Sequence, residues 1–228
     1  VSLLSICCIT ANSKNAQLSD YEKEEMQKAI AYYDNNQPDK AIEIYEHLLT
    51  NNPKHFLINY EYALAKTAKK EYAEAIKITK KVEGNSDANC LLYQLQGNTY
   101  DFMGERKKAI ASYDKGIKQF PKAGCLYQEK ANIMLMEHDY NGALAMYEKA
   151  MEVEPTYTSS YFRASVLLLG SSEPIWGLIY GEALLLLDKG ERNKVIQNTI
   201  VKSLRNTISI SNDTLHVSLT KQNTIGFK

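Results

Sequence analysis

The residues of this chain best suited to chemistry are its four histidines, its four cysteines and a set of side-chain amides. His47, His55, His138 and His216 stand far apart, and none lies one helical turn from another His or from a Cys. That spacing is what lets a helix present two metal ligands together, so no metal is expected. His138 is followed by Asp139, types that suit a base and its orienting carboxylate. The pair falls between two helical stretches, however, where polar turn residues are common. No glycine-rich phosphate loop, nucleophile elbow or inward carboxylate pair is present, and the sequence predicts neither a catalytic residue nor a cofactor. The amides are more regular. Gln94 and Gln128 are 128 − 94 = 34 residues apart, and Asn98 and Asn132 share that separation. A carboxamide both donates and accepts, so such a ladder suits the main chain of an extended peptide whatever its sequence.

Residues with a common period must sit on elements that repeat with it, and the composition favours helices. Only 11 Gly and 5 Pro punctuate 228 residues, too few for an all-β fold with many turns. Lys+Arg and Asp+Glu number 27 each, so the net charge is zero, and the basic surplus of a protein that holds nucleic acid through phosphates is missing. With 44% hydrophobic and 24% charged residues, neither wholesale disorder nor a polytopic membrane protein fits.

The period extends well beyond the amides. Ala41, Ala75, Ala109 and Ala143 follow one another at 34 residues, and the next step lands on Gly177. An aliphatic residue follows each, and four positions on stand Tyr45, Thr79, Tyr113, Tyr147 and Gly181. Twelve residues before the alanines come Ala29, Ala63, Gly97, Ala131 and Ser165, all small enough to let helix backbones approach closely. Twelve after come Pro53, Asp87, Pro121 and Pro155, the prolines closing helical stretches that they cannot continue.

These residues resemble the tetratricopeptide repeat family, a helix–turn–helix unit with small residues at its eighth and twentieth positions, an aromatic at the twenty-fourth and proline at the thirty-second. The resemblance implies an all-α fold: a right-handed α-α superhelix of about five repeats, starting near residues 22, 56, 90, 124 and 158. It also implies that Ala41, Ala75, Gly97, Ala109, Tyr113, Pro121, Ala143, Tyr147 and Pro155 are repeat-packing residues. The family's ligand-facing positions on the first helix fall on Leu57, Tyr60, Leu64 and Thr67, then on Leu91, Gln94, Asn98, Asp101 and Phe102. In the fourth repeat they fall on Cys125, Gln128, Asn132, Leu135 and Met136, and in the fifth on Phe162, Val166 and Leu169. Tyr60, Phe102, Met136 and Phe162 supply apolar anchors beside the amides. The family's carboxylate clamp for chaperone tails is not expected, since Met26 and Ile30 replace its Lys and Asn.

The chain divides into a signal-peptide-like or disordered stretch (1–16), the repeats (17–190), a capping helix (191–207) and a β-hairpin-like tail (208–228). Val1–Thr10 is a short apolar run followed by Ala11-Asn12-Ser13, small residues at the spacing a signal peptidase reads, with neither an initiating Met nor a basic flank. Ile175–Leu187 is apolar nearly all round but too short to span a bilayer, and it predicts a helix buried on most faces. Val195, Ile196, Thr199, Ile200 and Leu204 form the stripe of a helix that covers it. Alternation of Ile208, Ile210, Leu215, Val217 and Leu219 around Asn212-Asp213 signals the hairpin. Packed helices lie about 8–10 Å apart, too far for a disulfide between Cys90 and Cys125, which are expected as buried thiols.

The functional expectation is a non-enzymatic scaffold that binds a protein or peptide in the concave groove, exported to a bacterial periplasm or envelope, with a cytoplasmic location as the alternative. The competing function is a ligand-sensing ectodomain whose C-terminal part lies beyond this sequence.

Overall fold

The structure, a computed structural model, describes residues 18–171, 174–211 and 214–217. The signal-like stretch at 1–16, the Asn212-Asp213 turn and the tail from residue 218 lie outside the described residues. Eleven α-helices and one pair of short strands are described, in two compact units, Val1–Phe120 and Pro121–Lys228.

The first unit holds three helix–turn–helix pairs: α1 (Asp20–Asp34) with α2 (Pro38–Asn51), α3 (Phe56–Ala68) with α4 (Tyr72–Lys81), and α5 (Cys90–Phe102) with α6 (Arg106–Gln119). Local chemistry sets their ends. Ser19 and Glu22 close a reciprocal capping box at the start of α1, and Pro38 opens α2 where its missing N–H costs nothing. Pro53 and Pro121 each stand two residues beyond the end of a second helix. Where Asp87 replaces proline, α4 is only 10 residues long and a longer loop follows.

The second unit continues with α7 (Gly124–Met136), α8 (Tyr140–Val153), α9 (Thr158–Leu169), α10 (Pro174–Leu187) and α11 (Arg192–Thr207). Strands β1 (Ile208–Ser211) and β2 (Thr214–Val217) pair antiparallel in the register Ile208↔Val217, Ile210↔Leu215.

The period explains the packing. Ala29, Ala41, Ala63, Ala75, Ala109, Ala131 and Ala143 are all fully buried, at helix crossings where a larger side chain has no room. A Cβ added to Gly97 would stand 2.0 Å from the Tyr113 ring, so the glycine is required by the tyrosine it faces. In the fifth pair the aromatic position is Gly181, and Ile200 and Ile196 of α11 occupy its surroundings, so the last helix replaces a missing side chain. Ser165 Oγ donates to the Gly177 carbonyl at 2.6 Å, which ties α9 to α10 where both are small.

The turns inside the pairs share the period too. Asn36, Lys70, Gly104 and His138 all have positive φ, between 57° and 76°, though only one is glycine.

Two expectations are corrected here. Helix α10 is not buried on most faces: Gly177, Gly181 and Leu184 are covered by α9 and α11, whereas Trp176, Ile179, Leu186 and Leu187 are 48–84% exposed. On α11, Ile196 and Ile200 carry the buried stripe, and Val195 is 52% exposed because it points away from α10 and α9.

Candidate functional site

The face that carries the fifth, ninth and thirteenth positions of each first helix differs from its sequence outline. In the first unit, α5 presents Gln94, Asn98 and Asp101 half-buried and Phe102 62% exposed. Asn98 Oδ1 accepts a 2.6 Å hydrogen bond from the Tyr113 hydroxyl on α6. With the oxygen engaged, the carboxamide is held in one orientation. Asp101 lies 3.8 Å from the Arg106 guanidinium. Phe102 follows Asn98 by one helical turn and rests against Tyr72, ring centroids 6.0 Å apart. On α3, Tyr60 is half-buried and stacks on Phe56 at 6.1 Å.

In the second unit α7 repeats the same arrangement. Asn132 Oδ1 accepts from the Tyr147 hydroxyl at 2.8 Å, its Nδ2 donates to Glu129 at 3.0 Å, and Met136, one turn on, is 52% exposed. Phe162 on α9 is half-buried and packs into the α9–α10–α11 core.

Several sequence expectations are corrected by burial. Gln128 is 8% exposed with its Oε1 lacking a hydrogen-bond partner. It is therefore buried where its counterpart Gln94 is half-buried. Thr67 is buried and bonds to the Ala63 carbonyl and Thr99 Oγ1, so it stabilises helix contacts and does not face a ligand. Leu169 and Cys125, also assigned to the binding face, are each 8% exposed. Cys90 is half-buried where burial was expected, and neither Cys90 nor Cys125 is in a disulfide. His138 adopts the left-handed turn conformation with Nδ1 3.1 Å from the Tyr140 hydroxyl, and the Asp139 carboxylate caps α8 by accepting from Gly142 N–H. The two side chains do not act together.

Sequence reasoning missed the tyrosine hydroxyls as orienting groups, treating Tyr113 and Tyr147 as packing alone. Their 15-residue separation from Asn98 and Asn132 was the available signal. Tyr45 stands in the same relation to Ile30, which offers no acceptor, and its hydroxyl is buried without a partner. Glu61, on α3, is 2% exposed, and burial pushes its carboxyl up to about 7 with Asp34 adding to the rise.

Comparison with known proteins agrees with the repeated helix–turn–helix fold. Residues 26–89 and 92–122 match the tetratricopeptide repeat family. The TPR repeat-containing protein MJ1428 of Methanocaldococcus jannaschii is 26% identical over 152 residues, which cover 59% of this chain and 27% of that protein. The chain thus spans about a quarter of that relative's length. Among solved structures, yeast Tom70 superposes with a TM-score of 0.69 at 17% identity, over 81% of this chain and 41% of that one. The thermophilic TPR protein TTC0263 of Thermus thermophilus gives 0.62 at 14% identity, over 81% and 99%. At such identities the likeness is one of fold. It fits an all-α array of helix–turn–helix repeats.

Proposed function

We propose, from the premise that the chain is a tetratricopeptide-repeat protein, that it is a non-enzymatic scaffold holding an extended segment of a partner protein on the first-helix faces of its repeats. One observation carries this reading. In each unit a buried tyrosine hydroxyl fixes the amide at the ninth position, and an exposed apolar residue stands one turn further along: Asn98 with Phe102, and Asn132 with Met136. Exposed apolar side chains beside oriented amide groups are the composition of a peptide anchor, in which a few such residues supply most of the binding energy. In this reading Asn98 Nδ2 donates to a peptide carbonyl, while Phe102 or Met136 accepts an apolar side chain.

The test is comparative capture. The full chain and its Asn98→Ala/Phe102→Ala variant serve as baits in native extract, with bound proteins quantified by mass spectrometry and folding checked by circular dichroism. A partner retained by the native chain and depleted on the variant supports the reading. Equal recovery on both baits opposes it.

Export is part of the same proposal, supported by the apolar run and small residues of the first 16 positions. A mature N-terminus just beyond Ala11-Asn12-Ser13 in an exported fraction supports it. An unprocessed chain confined to the cytoplasm speaks against it.

A further inference from the structure

A cavity of about 250 Å³ opens in the first unit between α4, the loop that follows it, α5 and α6. It lies away from the peptide face of α5. Its α5 residues, Gln96 and Tyr100, follow Gln94 and Asn98 by two positions each, about 200° around the helix at roughly 100° per residue.

The cavity combines an aromatic wall with a cationic rim. Lys80 Nζ stands 5.8 Å and Lys108 Nζ 5.7 Å from the centroid of the same Tyr100 ring. Lys115 contributes a third ammonium group, and Glu83 is the one carboxylate among the lining residues. That carboxylate is already engaged, accepting from Gln96 Nε2 at 2.9 Å and from Lys115 Nζ. Lys108 pairs with Glu105, whereas Lys80 has no carboxylate within 4.0 Å among the described residues. With both ammonium groups within 6 Å of the Tyr100 centroid, a carboxylate brought to this rim is attracted by two cations. The volume falls below the roughly 300–1,000 Å³ of small-molecule sites, so it suits a side chain better than a nucleotide or cofactor.

We infer that this cavity is a second docking site, which takes an acidic stretch of a partner protein: one apolar side chain against Tyr100, with flanking carboxylates on Lys80 and Lys108. The site is independent of the peptide face and does not need that face to be occupied.

The probe is a fluorescein-labelled Glu-Glu-Phe-Glu-Glu peptide, titrated by anisotropy into the full chain at about 0.1 M salt, where screening acts over about 10 Å. Saturable binding is expected, with affinity falling roughly tenfold in Lys80→Gln/Lys108→Gln through loss of two charge-assisted contacts. The affinity should be unchanged in Lys28→Gln and in Asn98→Ala/Phe102→Ala, and the Gln-Gln-Phe-Gln-Gln peptide should not bind. Circular dichroism confirms that each variant folds. Absence of saturable binding, equal affinity for the native chain and Lys80→Gln/Lys108→Gln, or a loss confined to Asn98→Ala/Phe102→Ala overturns the inference. That last outcome would place the acidic peptide on the other face.

Discussion

Glu61→Gln separates the energetic consequence of one buried charge from everything else in the first unit. The Glu61 carboxyl has an ordinary value of 4.5, and burial raises it to about 7 in the folded chain, with Asp34 adding a like-charge contribution. Burial and the Glu61 charge in turn raise the Tyr33 and Tyr45 hydroxyls, which places all four groups in one neighbourhood. Below pH 4.5 the carboxyl is neutral whether the chain is folded or unfolded. As pH rises from there to about 7, the folded chain holds a proton that the unfolded chain releases, so stability declines; above about 7 the loss is complete. The gap of about 2.5 pH units, 7 − 4.5, corresponds to about 3–4 kcal/mol at roughly 1.4 kcal/mol per unit. With a urea dependence of about 1–3 kcal/mol per molar, the native midpoint should drop by roughly 1–3 M between pH 4.5 and pH 8 from this group alone. Glutamine keeps the shape of the protonated side chain and never ionises. Urea titrations of both chains at several pH values should therefore nearly coincide at low pH and diverge toward pH 8, with Glu61→Gln the more stable. Parallel pH profiles for the two chains would refute the reasoning.

Other substitutions test other links. Lys70→Gly and His138→Gly relieve a left-handed turn conformation and should each raise stability by about 1 kcal/mol or less, once the entropy of glycine is set against the relief, read as a higher thermal midpoint. Ala109→Leu or Ala143→Leu forces a larger side chain into a fully buried helix crossing and should cost about 1–3 kcal/mol or more; unchanged melts in both would contradict the repeat phase. Tyr113→Phe and Tyr147→Phe each remove a hydroxyl bonded to an amide and should each cost about 1 kcal/mol in urea titrations while lowering affinity for a captured partner.

The class of fold was legible in the sequence because helix crossings tolerate only small residues, and Ala41, Ala75, Ala109 and Ala143 report each crossing at a constant interval. The left-handed turns recur at that same interval; Asn36, Gly104 and His138 are residue types that favour positive φ, whereas Lys70 carries no such signature and is marked by position alone. Helix α10 was misjudged for a different reason. Its apolar residues run all round, but burial depends on what packs against each side, and α9 with α11 covers only the side of Gly177, Gly181 and Leu184. The binding face was partly legible. Equal spacing made Gln94 and Gln128 look alike, while burial is decided by neighbouring side chains that spacing does not encode. The tyrosine–asparagine bonds escaped notice because each tyrosine already had a sufficient explanation as packing. Both roles coexist: the ring fills the core and the hydroxyl reaches the amide.

The most direct test of peptide binding begins with 12-residue peptides selected from a random displayed library on the immobilised full chain. Their affinities are then measured for the native protein, Asn98→Ala/Phe102→Ala and Asn132→Ala/Met136→Ala. The scaffold account predicts saturable binding that weakens by roughly tenfold or more, about 1.4 kcal/mol, in at least one of the two double variants, with folding unchanged. Peptides that bind all three proteins equally well would contradict it.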